Sequence, residues 1–145
     1  MHEPFDGGSR CSRPGTAQVS QYGSACAVAR ITGSGTLDPT FDVDGKATAG
    51  TAAGCQGIVL QPDGKILALG WTRPATIGGL DSTVFRFGAA GALDTTFHDG
   101  GSSAVTFGSS IQQFMEGRVL ADGRLLVVGQ TSMYQVGLGL GRFWL

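Results

Sequence analysis

Charge is scarce in this 145-residue sequence: Asp, Glu, Lys and Arg together make up 14% of it, low for a freely soluble surface. Much of that surface is therefore expected to be covered. The ten Lys and Arg residues stand scattered along the chain and the formal net charge is −1. No basic field exists to attract a phosphate backbone, which argues against nucleic acid as a partner. Long apolar runs are missing too. No stretch reaches the roughly 18 consecutive apolar residues of a membrane-spanning helix, so no membrane span is expected. The opening stretch, "MHEPFDGGSRCSRPGTAQ", has neither the basic start nor the apolar run of a secretory leader, and residues 1–17 read as a flexible lead-in. Cysteine is limited to Cys11, Cys26 and Cys55, an odd number without a C-x-x-C pair. Two small buried thiols suit Cys26 and Cys55 at least as well as a disulfide in an exported chain, and the compartment stays open on this ground.

What is abundant is glycine, at 25 residues, about two and a half times the usual ~7% share and without a Gly-X-Y period. That combination describes a fold with many tight turns. Hydrophobic residues reach 41% and mean hydropathy is +0.11, which argues against intrinsic disorder. The chain also repeats itself. Val28 to Phe41, "VARITGSGTLDPTF", aligns with Val84 to Phe97, "VFRFGAAGALDTTF", at an offset of 56 (84 − 28), with seven of fourteen positions identical. The same offset carries Arg30 to Arg86 and on to Arg142. A second pair of segments, "IVLQPDGKILALG" and "RVLADGRLLVVG", places Asp63, Gly64 and Gly70 over Asp122, Gly123 and Gly129 at an offset of 59 (122 − 63). The length difference falls in the connections, where repeat proteins accept it.

Within one unit, "QPDG" between apolar runs is a hairpin signal, since proline presets the second turn position and Asp-Gly suits those after it. "STVFRF" and "CAVARI" alternate as strands do. A glycine-bearing turn, the L-D-x-T-F element and a fourth strand near "KATAG" or "SAVTF" follow. Four short strands in about 56 residues form one small antiparallel sheet, and helical periodicity is absent. "KILALG" and "RLLVVG" are apolar on both faces, so each sheet must be covered on both sides. Stacked sheets of this size are the blades of a β-propeller, with a β-solenoid as the second reading. The expected division is residues 1–17 lead-in, 18–83 first blade, 84–139 second blade, and 140–145 the start of a third. Propellers close with about 4 to 8 blades, so the propeller is expected to be incomplete. A fragment of a longer chain, a ring of copies, and a short two-blade stack compete, and the ending "RFWL" favours the fragment. Further blades or self-association are the expected partners.

The combination "VARITGSGTLDPTF" with "VLQPDGKILALG" resembles the delta-60 repeat family, a bacterial propeller-type repeat, from residue ~28 to the end. The resemblance implies a protein of the bacterial exterior or cell envelope, with no catalytic residues to carry over. The second unit departs from the pattern where "FMEGRVLADGR" loses the Gln-Pro, which puts its hairpin turn type in question.

Candidate site residues divide accordingly. Asp38 and Asp94 are expected to cap turns by accepting backbone N–H bonds and Phe41 and Phe97 to anchor the core between blades. Leu37 and Leu93 complete the L-D-x-T-F motif. Arg30, Arg86 and Arg142 are expected to pair with aspartates, because a buried guanidinium needs such a partner; lining an anion-binding channel is the alternative. Asp42 and Asp44 resemble the opening of a calcium loop, but the downstream glutamate is missing. His2 and His98 lack a serine or cysteine partner motif, and neither "GSGT" nor "GLGLG" leads into a helix that would make it a nucleotide loop. No catalytic residue, metal or cofactor is expected. The functional expectation is a non-catalytic scaffold binding a protein or glycan across blade loops. The alternative is part of a propeller hydrolase with its catalytic residues in other blades and a site on loops such as 71–81.

Overall fold

The computed structural model describes residues 9–20, 23–74, 79–105, 113–130 and 138–145, with backbone only for 9–20, 23–24 and 138. These residues include ten strands: β1 (Ser9–Ser20), β2 (Gly23–Thr32), β3 (Lys46–Ala49), β4 (Ala53–Leu60), β5 (Ile66–Thr72), β6 (Asp81–Phe87), β7 (Ser102–Val105), β8 (Gln113–Val119), β9 (Leu125–Gln130) and β10 (Leu138–Phe143). No helix occurs among the described residues. The strands form three antiparallel sheets in the orders β1-β2-β3, β4-β5-β6-β7 and β10-β9-β8. The protein is all-β, with one complete four-stranded blade between two three-stranded ones, and the propeller is not closed.

The registers are copies of one another. Cys26 opposes Ala49 in the first sheet as Ser82 opposes Val105 in the second. Leu67 opposes Arg86 as Leu126 opposes Arg142. The bulge opposite Gly70, between Cys55 and Gly57, recurs opposite Gly129, between Phe114 and Glu116. Both glycines are there because the bulged strand folds onto them: a Cβ would lie 2.0 Å from the Gly54 oxygen at Gly70 and 2.2 Å from the Gln113 oxygen at Gly129.

Two expectations change. Ser9–Ser20, placed for the most part in a flexible lead-in, is a strand paired with β2, and its register shift between Ser12 and Gly15 accommodates Pro14, which has no N–H for a ladder. The division at residues 83 and 84 falls inside β6, and the central sheet draws on both of the units it separates. A repeat in sequence has a period but no phase, and similarity starts at Val28 and Val84, in the middle of the third strand of a blade. The two hairpin turns, by contrast, are alike despite the lost proline. Gln61 N–H donates to the Lys65 carbonyl at 2.9 Å and Leu120 N–H to that of Arg124 at 2.7 Å, with Gly64 and Gly123 at φ of 83° and 80°. The left-handed glycine, which both sequences keep, sets this turn.

Apolar side chains on both faces of β5 explain why the sheets stack. Ile66 and Ala68 pack with Phe85 and Phe87 against Val28 and Ala47 of the first sheet and Phe41 of its β2–β3 connection. On the other face Leu67, Leu69 and Val84 meet Phe114, Leu125 and Val127 of the third. Each such side chain removed from water contributes about 1.5–3 kcal/mol. Cys26 of β2 and Cys55 of β4 are joined by a disulfide, so the thiol reading gives way to a covalent link between the first two sheets. At the next interface the matching positions hold Ser82 and Phe114, both buried, and Phe114 packs into the cluster with Leu67, Leu69 and Val84.

Candidate functional site

The repeated L-D-x-T-F element is where charged groups concentrate. After β2 the chain turns and is pinned by a bridge between Ile31 and Leu37, which brings Asp38 back beneath Arg30. The Asp38 N–H donates to the Arg30 carbonyl at 2.9 Å, while Arg30 Nε donates to Asp38 Oδ2 at 2.8 Å. The other carboxylate oxygen, Oδ1, accepts from the Thr40 N–H at 2.9 Å and from Thr40 Oγ1 at 2.6 Å. Thr40 Oγ1 in turn accepts from Arg30 Nη2 at 2.9 Å. The guanidinium lies over the Phe41 ring, 4.8 Å from its centre, and the ring is fully buried. Residues eight apart are thus closed into one knot in which the charge on each partner is met by the other.

The second copy repeats the arrangement. Phe87 bridges Leu93, Arg86 Nε donates to Asp94 Oδ2 at 2.9 Å, and Asp94 Oδ1 accepts from Thr96 N–H and Oγ1 at 3.1 and 2.6 Å. Arg86 stacks on Phe97 at 4.4 Å. Here a further cation joins: Lys65, from the hairpin turn, stands 3.1 Å from Asp94 Oδ2. The hydroxyl of Thr96, then Lys65, the Thr96 N–H and the Arg86 charge hold the Asp94 carboxyl well below the usual carboxylate range against the opposing effect of burial.

The first knot also reaches the next sheet. Arg30 Nη1 donates to the Ala89 carbonyl at 2.7 Å, and the Asp42 N–H donates to that of Ala90 at 2.6 Å. The knot therefore does two jobs: it closes its own turn and it clasps the corresponding turn of its neighbour. Asp42 and His98 occupy the same repeat position, both with positive φ, 52° and 41°. His98 Nε2 lies 3.4 Å from the Trp144 carbonyl, a side-chain contact where Asp42 uses its backbone N–H.

The remaining sequence candidates lie apart from these knots. Asp44 and Asp63 accept from the N–H groups of Lys46 and Lys65, each at 3.1 Å. Asp122 accepts from Arg124 N–H at 3.1 Å and from its Nε at 2.8 Å, and these bonds lower the Asp122 pKa. Arg142 is exposed on β10. His2 and part of the 71–81 loop, residues 75–78, lie outside the described residues. Among the described residues no three His, Cys, Asp or Glu side chains gather in a metal-binding group, and no helix is long and apolar enough to cross a membrane. Thr40, Thr96 and Lys65 are the members that sequence reasoning left out. The signal for the threonines was present, since both copies carry Thr two residues after the aspartate, the spacing of a side chain-to-backbone turn bond.

The turn knot of Arg, Asp, Thr and Phe thus recurs in two consecutive units. Residues 61–97 match the family model described as a domain of unknown function (DUF5122) beta-propeller. The match covers the hairpin turn, β5, β6 and the whole second knot. No curated protein is significantly similar to the chain.

Proposed function

We propose that this protein is a non-catalytic propeller repeat module of the delta-60 type, a structural and binding scaffold of an exported or surface-attached bacterial protein, with a protein or glycan as ligand. The observation that carries this reading is the way the knots use their charges. Arg30, Asp38 and Thr40, and Arg86, Asp94 and Thr96, face one another within a turn, so these charged groups are engaged in closing turns, and Arg30 also holds the neighbouring sheet. The Cys26–Cys55 disulfide supports export, because such bonds persist in oxidising compartments and are rare in the cytosol. Ligand contacts then fall to the connections between strands, where sequence varies without disturbing the stacked sheets.

The test is a glycan array together with a panel of chromogenic ester and glycoside substrates, using the purified chain. The scaffold reading expects saturable binding without turnover. Turnover that survives repurification and saturates with substrate would contradict it.

A further inference from the structure

The outer face of the third sheet has a hollow of about 350 Å³ lined by Glu116, Arg118, Leu126, Val128 and Leu140 among others. Leu140 is 70% exposed there. The repeat says what such a face is for. Leu126 and Val128 stand where β5 has Leu67 and Leu69, at the 59-residue offset, and Leu140 stands where β6 has Val84, at the 56-residue offset. In the second sheet those three residues are fully buried, covered by Phe114, Leu125 and Val127 of the sheet that follows. One position in the stack is covered by a successor; its equivalent one sheet later leaves Leu140 exposed and Leu126 and Val128 only half-buried.

We propose that this face docks a second copy of the chain, which presents the outer face of its first sheet, head to tail. Polarity comes from the interfaces already formed: each sheet offers this face to the opposite face of its successor, never to its own kind. On the first sheet the opposite face carries Ala27, Ala29 and Ile31, half-buried, at the positions of Thr83, Phe85 and Phe87 in the second sheet. Those two phenylalanines pack against the preceding sheet. Number favours the same occupant. The described residues of one chain form three sheets and those of two copies six, within the four to eight that close a propeller. A head-to-tail pair then meets twice and closes on itself instead of growing as a filament. The clasp has a counterpart as well. Arg142 repeats Arg30, whose guanidinium takes the Ala89 carbonyl of the next sheet, and the residue 56 before Ala89 is Gly33. Arg142 is thus set to donate to the Gly33 carbonyl of the second copy.

Size-exclusion chromatography with light scattering on the full chain tests this. The expected species has twice the 14.9 kDa chain mass. Leu140→Glu halves that mass with an unchanged β-sheet circular dichroism spectrum, and Val43→Glu, at an 86% exposed position elsewhere, leaves it intact. Ala27→Glu on the far face also yields monomer, and mixing the Leu140→Glu and Ala27→Glu proteins restores dimer through the one unaltered pair of faces. A monomeric parent chain, a species larger than a dimer, or a folded Leu140→Glu protein that stays dimeric would overturn the proposal. Dissociation by Leu140→Glu but not by a folded Ala27→Glu would show like faces meeting and overturn the head-to-tail polarity.

Discussion

Replacing Asp94 by asparagine removes one negative charge from the second knot while nearly preserving shape. The asparagine side chain would still accept from the Thr96 N–H and hydroxyl through its carbonyl oxygen. It would not offset Arg86, which is 8% exposed, or Lys65, whose side chain is 35% exposed. Removing one partner of a fully buried pair costs about 3–5 kcal/mol, and an exposed pair is worth at most about 1 kcal/mol. With the Asp94 side chain 12% exposed, the expected loss lies between these limits, at about 2 kcal/mol. A chain of this size loses about 2 kcal/mol of stability per molar urea, so the unfolding midpoint should fall by about 1 M near neutral pH. The difference also depends on pH. The folded-state pKa of Asp94 is lowered, so its contribution is present above the unfolded carboxylate value near 4 and is lost as pH falls through the folded value. The gap between parent and Asp94→Asn should therefore narrow in acid. Equal midpoints at neutral pH, or a gap that does not shrink in acid, would refute the reading of Asp94 as a stabilising ionised partner.

Three further outcomes follow from the fold. Reducing the Cys26–Cys55 disulfide, whose cysteines are 29 residues apart, should cost about 3–4 kcal/mol if restriction of the unfolded chain dominates, read as a lower urea midpoint in the presence of reductant; an unchanged midpoint would contradict the link. Gly70→Ala should lose about 2–3 kcal/mol, since the new methyl meets the Gly54 backbone and must shift it. Gly123→Ala, at φ 80° with open space around it, should lose about 1 kcal/mol from backbone strain alone. Thermal unfolding of the two variants separates them, and a larger loss at Gly123 would contradict the close packing at the bulge.

How much of this was legible depended on whether a contact is local or long-range. The hairpin turns, the strand near "KATAG" and the pairing of Arg30 and Arg86 with an aspartate of their own unit are short-range matters, written in turn residues and repeat spacing. Blade phase was not legible, because nothing in the letters of "STVFRF" marks it as the third strand of four. Nor was β1: Pro14 and the glycines around it read as a lead-in, and only the partner strand β2 makes them a bulged ladder. The disulfide needed the stacking itself, since Cys26 and Cys55 meet only when β2 of one sheet lies against β4 of the next. Contact between the first knot and Ala89 escaped for the same reason, 59 residues apart. In the second sheet the apolar letters on both faces of "KILALG" announced that something covers it, and Phe114, Leu125 and Val127 are what does.

Consecutive sheets stack face to face, with β2 of the first against β4 of the second. Peptide mapping by mass spectrometry, after alkylation of the unreduced protein, tests it most directly. The stacking predicts one cross-linked pair joining the peptide of Cys26 to that of Cys55, with Cys11 carrying the alkyl label. A bond from Cys11 to either of the others, or free thiols at Cys26 and Cys55 in protein kept oxidised, would contradict it.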